Sequence, residues 1–144
     1  MLFLTIKQHI LIQNPTHMAK VTIYLSIVER EGKKHLHLRD SNKKCADESL
    51  VTEVNHGDLV IWKRDKKSGI KIVRDIDFEK GKEPFNKGLY KGWCQKWKGI
   101  ISKDAKGEYP YHVKYMVCGS DEIEPKPTSG KNGDPPPPTI KIKE

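Results

Sequence analysis

The sequence predicts an all-β domain, an antiparallel Greek-key β-sandwich of seven or eight short strands. Three observations carry that expectation. Apolar residues recur at every second position in a series of short runs, Gly, Asn, Asp and Pro clusters separate the runs, and nowhere do apolar residues recur at helical spacing for three turns. With 35% hydrophobic and 32% charged residues in 144, the chain suits one soluble domain able to bury a core without disulfide staples.

The alternation begins at Lys20. In "KVTIYLSIV" Val21, Ile23, Leu25 and Ile27 share one face, and Thr22, Tyr24 and Ser26 the other. "EREGKKH" is a hairpin turn, with Gly32 suited to a positive φ. "HLHLRD" then sets Leu36 and Leu38 inward and His35, His37 and Arg39 outward. A polar loop leads to "LVTEV", and "NHG" turns into "DLVIWK". After "RDKKSG", the strand "IKIVRDIDF" offers Ile70, Ile72, Ile76 and Phe78 to the interior. Residues 79–96 dissolve into Lys, Gly, Pro and aromatics, a long irregular connection. "KWKGIISKD" turns through "AKGE" into "YPYHVKYMV", the clearest strand, with Tyr109, Tyr111, Val113, Tyr115 and Val117 on one face. Residues 119–138 read as a Pro-rich loop whose four closing prolines favour an extended spacer, and "TIKIKE" supplies a last strand with Ile140 and Ile142 inward. The expected organisation is an extension over 1–17, ahead of Met18, followed by a single domain over 18–144. The extension is apolar at its start but lacks the basic n-region and small-residue cleavage site of an export signal, so a weak signal is only the alternative reading.

The formal charge is +8, from 27 Lys and Arg against 19 Asp and Glu. Such an excess favours encounters with polyanions or acidic protein surfaces. No apolar run approaches the roughly 20 residues of a membrane span. Cys45, Cys94 and Cys118 match no zinc spacing. A Cys94–Cys118 bridge and free, partly buried thiols in a reducing compartment both remain open, the second setting the expected location as cytoplasmic.

The phrase "HGDLVIWKR", through Gly57, Asp58, Val60 and Trp62, resembles the Gly-Asp-x-Val-x-Trp text of the cupredoxins, Greek-key copper proteins, and the order of strands around it is similar to theirs. Immunoglobulin-like sandwiches produce similar text. The resemblance implies a β-sandwich scaffold. A blue copper ion, however, needs thiolate and two imidazoles. The family's His should follow that strand, yet "RDKKSGIKI" stands there; its late Cys should be followed by a second His, yet Cys118 is followed by "GSDEIEPKP". No cofactor is therefore expected.

Catalytic signatures are missing from the sequence: it has no phosphate loop, no G-x-S-x-G and no H-E-x-x-H. Asp75 and Asp77 sit two apart on a strand, as paired carboxylates or as a charged sheet face. His35 and His37, with His112, could form a surface metal site. The expectation is a non-catalytic binding module, and the segment Lys80 to Gly107 is its most suggestive part. Eight lysines there face only Glu83 and Asp104, with Phe85, Tyr90, Trp93 and Trp97 threaded among them. Cations tracking a polyanion, with rings for stacking, have this composition; so do core plugs on a solvated loop. Tyr90, Lys91, Trp93, Lys96, Trp97 and Lys98 are the candidate ligand surface. A sheet edge is the other candidate, and a nucleic acid or acidic glycan the candidate ligand.

Overall fold

In a computed structural model, which describes residues 19–41, 45–46, 49–92, 96–124 and 136–143, every regular element is a strand. The extension 1–17, Trp93, Cys94 and most of the Pro-rich loop lie outside the described residues. The strands are β1 (Lys20–Arg30), β2 (Lys33–Asp40), β3 (Cys45–Ala46), β4 (Val51–Val54), β5 (Leu59–Arg64), β6 (Ile70–Phe78), β7 (Tyr90–Lys91), β8 (Trp97–Ile100), β9 (Glu108–Val117) and β10 (Thr139–Ile142). They form a six-stranded sheet, ordered β3-β2-β1-β5-β8-β7, and a four-stranded sheet, ordered β4-β10-β9-β6.

Both sheets are mixed. β1 runs parallel to β5, and β4 parallel to β10, whereas the other pairs are antiparallel. The antiparallel-only expectation is corrected here for a topological reason. Alternation within a strand reports which face is buried but is silent on the direction of its neighbour, and neither parallel pair is joined by a hairpin. Where a hairpin does join strands, the sequence is explicit. Glu31 and Gly32 between β1 and β2 take φ of 51° and 76°, the two positive angles of a tight turn that keeps the strands' twist.

The core forms where the inward rows of the two sheets meet. Val21, Ile23 and Leu25 of β1, Leu36 and Leu38 of β2, and Val60 and Trp62 of β5 come from one sheet; Val54, Val73, Ile76, Tyr111, Val113, Ile140 and Ile142 come from the other. Trp62 is fully buried, with Tyr111 at 5.4 Å, Phe85 at 6.0 Å and Phe78 at 6.3 Å between ring centroids, all edge-to-face. Ring pairs of this kind add about 0.5–1.5 kcal/mol each beyond the area they bury.

The inward set of β6 differs from the simple alternation. Ile70, Val73, Ile76 and Phe78 are buried, and Ile72 is only half-buried. Register shifts against β9 between Ile70 and Ile72 and again between Val73 and Asp75 insert an extra residue each time, which reverses the inward–outward parity of the residues beyond it.

The irregular connection after β6 is tied down rather than loose. Phe85 bridges to Ile101, and Ser102 and Asn86 donate to the carbonyls of Pro84 and Ile100. The Phe85 ring lies across Gly99 of β8, where a Cβ would come within 2.5 Å of that ring and 2.9 Å of Leu89. Glycine is required there by close approach, since its φ is ordinary for a strand. Gly99→Ala is expected to cost about 1–3 kcal/mol through overpacking, read from the urea midpoint. Gly92→Ala, whose added Cβ meets nothing closer than 3.4 Å, is the matched control.

Burial drives the Tyr111 phenol well above its ordinary value; the neighbouring Trp62 N–H partly offsets the rise and the Asp40 carboxylate adds to it. The neutral phenol is the form that folding favours. Its contribution to stability is complete below the unfolded value near 10 and is lost as pH climbs above it. An ultraviolet titration should therefore leave one tyrosine protonated until alkaline unfolding. Tyr111→Phe should abolish that step while changing stability at neutral pH by no more than about 1 kcal/mol.

Candidate functional site

The turn that opens β5 is structural. Gly57 takes φ of 84°, and its N–H donates to the Ile101 carbonyl at 2.9 Å. Asp58 is buried and accepts from the Asn55 N–H at 2.8 Å. Beyond the turn, Val60 and Trp62 point inward. The copper-protein phrase is thus accounted for by a glycine-dependent bend, a carboxylate that closes it, and two core side chains. Cys118, expected to be partly buried, is a free and exposed thiol whose N–H donates to the Gly69 carbonyl.

The histidines do not converge. His35 and His37 are half-buried on the six-stranded sheet, opposite Val28 and Ser26, while His112 lies on the other sheet opposite Asp77. Among the described residues, no group of three or more His, Cys, Asp or Glu is placed to hold a metal ion. Asp75 and Asp77 face Lys114 and His112 across the strand pair, and Lys114 Nζ lies 3.5 Å from the Asp77 carboxylate. Asp77 is thus held by a lysine, and each of the two acids is registered against a residue of β9.

The Lys80–Gly107 segment divides between core and surface. Phe85 is buried in the aromatic cluster. Trp97 is half-buried against the core, and its Nε1–H donates to the Val73 carbonyl of β6 at 3.2 Å, joining the two sheets. Lys91 is paired with Trp97 and so alternates away from the outer face; Lys96 is half-buried, its carbonyl accepting from the Gly92 N–H. Tyr90 remains 52% exposed and pairs with Lys98 on the outer face.

The strand registers carry that outer face across the sheet. One row runs Thr22, Ile61, Lys98, Tyr90 through β1, β5, β8 and β7. The next runs Arg39, Tyr24, Lys63 through β2, β1 and β5. The Arg39 guanidinium lies 4.3 Å from the Tyr24 ring centroid and the Lys63 ammonium 5.1 Å, each arriving from a strand flanking Tyr24. Neither row contains an acid. At its margin Asp65 accepts from Arg39 Nη2 at 3.1 Å, both side chains being more than a third exposed.

The outer face of the four-stranded sheet is different. Lys141 is registered with Glu53 and Glu108, and Lys114 with Asp75. A depression of about 510 Å³ near its edge is lined by Glu53, Glu108, Lys141 and Lys143 with Gly107 and Ile142, again balanced in charge. The cationic excess is one-sided. Sequence reading found Lys98 and Tyr90 but missed Tyr24, Arg39 and Lys63, which lie on strands upstream of that segment; the outward alternation of β1, β2 and β5 was the available signal.

No protein-family model matches the chain, and no curated protein matches it. Among the described residues, no helix is long and apolar enough to cross a membrane.

If Trp97 is an intersheet tie rather than a contact residue, Trp97→Phe should lower stability by about 1 kcal/mol, the worth of one hydrogen bond, in chemical denaturation. Its effect on binding any ligand should stay within about twofold, as expected of a residue outside the contact surface.

Proposed function

We propose that this chain is a metal-free, non-catalytic recognition module that takes up an anionic partner on the outer face of its six-stranded sheet. The observation carrying this reading is the pair of rows that set Arg39, Lys63 and Lys98 beside Tyr24, Ile61 and Tyr90 with no acid in either. A fixed cationic surface of this sort attracts polyanions through the charges they bring and the counterions they release. The opposite sheet, whose charges neutralise one another, has no such bias.

For the scaffold, the reading is a Greek-key sandwich, cupredoxin-like or immunoglobulin-like. It draws support from the way successive strands change sheets, with β4, β6 and β9 each entering the four-stranded sheet from the six-stranded one. The cupredoxin phrase at Gly57–Trp62 supports it as well, and the ligand positions without imidazole favour a scaffold used for recognition. A reducing, cytoplasmic setting fits the three cysteines.

Titrating the protein into labelled heparin or single-stranded DNA tests the binding reading. Affinity should fall steeply from low to moderate salt. Lys63→Glu and Lys98→Glu should each weaken binding and lower the magnitude of the log–log salt slope by about 0.7–0.9 for each phosphate no longer neutralised. Lys114→Glu on the other sheet should leave both unchanged. Salt-insensitive binding, or equal losses from either sheet, would overturn the assignment.

A further inference from the structure

We infer that the anionic partner is a single-stranded nucleic acid, and that Arg39 is a platform on which one of its bases stacks. This rests on the proposed use of the outer face and names the ligand class for it.

The argument starts from what holds Arg39. A free arginine side chain is flexible and must lose considerable rotamer freedom when it binds. Here the guanidinium carbon lies over the Tyr24 ring, 4.3 Å from its centroid, and Nη2 donates to the Asp65 carboxylate at 3.1 Å. Even so, the side chain is 40% exposed. A planar cation held by a ring and a carboxylate yet still open to water has the properties of a stacking surface, and unpaired bases are stacked on guanidinium planes as well as on aromatic rings.

The neighbours specify the rest of the ligand. Lys63 approaches the same Tyr24 ring from the strand on its other side, 5.1 Å away, and Lys98 lies in the adjacent row. Both offer compact charges suited to phosphates. Tyr90, 52% exposed at the sheet margin, supplies a second ring for a base or sugar. Between them stand Ile61, apolar, and Thr22, a hydroxyl. A sulfated glycan would be met by charge alone and would gain nothing from a stacked guanidinium. The bases of a duplex are already stacked on one another. An unpaired strand uses all of these groups.

The test compares fluorescence anisotropy of three labelled probes: a short oligo-uridine or oligo-thymidine, a duplex of matched length, and a heparin oligosaccharide at matched salt. Arg39→Lys retains the charge and the reach to Asp65 but removes the plane. It should weaken single-strand binding about tenfold, the scale of a single base-stacking interaction, with heparin binding and the salt slope within twofold of wild type. Tyr90→Ala, at an exposed site, should reproduce the selective loss, and circular dichroism melts establish that both variants are folded. The single strand should also be bound more tightly than the duplex. Equal losses on heparin and the single strand, no loss with either variant, or preference for duplex or heparin would overturn the stacking inference while leaving the anion-binding face in place. Failure of every probe to bind at low salt would overturn both.

Discussion

The structure depends on one interaction above the others, the edge-to-face contact of Trp62 with rings from separate parts of the chain. Trp62 stands on β5, Phe78 ends β6, Tyr111 belongs to β9, and Phe85 comes from the connection between β6 and β7. Phe78 and Tyr111 belong to the opposite sheet and Phe85 to a connection, so the cluster holds the layers together and anchors that connection at once. Phe85 reaches it only because Gly99 leaves room beside β8. A local exception, a glycine inside a strand, thereby permits a long-range contact. The cost of a strand residue without a side chain is offset by the burial of a phenyl ring.

Much of this arrangement was legible in the residues. Alternation gave the inward faces of β1, β2, β9 and β10, because a sheet buried on one side forces every second side chain into the core. It failed in β6, where two extra residues exchange Ile72 for Val73; a bulge leaves no mark on composition. It was silent on the β1–β5 and β4–β10 pairs, since the direction of a neighbour is set by connections that cross between sheets. Regular structure is also fuller than expected. β3 and β7 are two-residue strands, too short for any period to announce them.

The candidate site was legible only in part, for a related reason. Reading along the chain favours segments dense in charge, and the Lys80–Gly107 stretch was conspicuous. Folding sends its side chains to different fates: Phe85 to the core, Trp97 to the junction of the sheets, Tyr90 and Lys98 to the outer face. The residues that complete that face come from three other strands, each contributing one or two unremarkable positions. A sheet gathers its surface at right angles to the chain, across strands about 4.8 Å apart, and no linear window can contain such a row.

The long edge strand β6 carries a consequence of another kind. Its outer carbonyls are the sort of row onto which a second molecule could lay a strand of its own. Side chains of the opposite sheet already engage them: Arg64 donates to the carbonyls of Ile70 and Lys71, and Trp97 to that of Val73. With two irregularities in its register β6 is no straight rail, and three of its carbonyls already receive a side-chain donor. The bonds that clasp the layers together therefore also occupy part of the edge on which a strand from another molecule would have to pair.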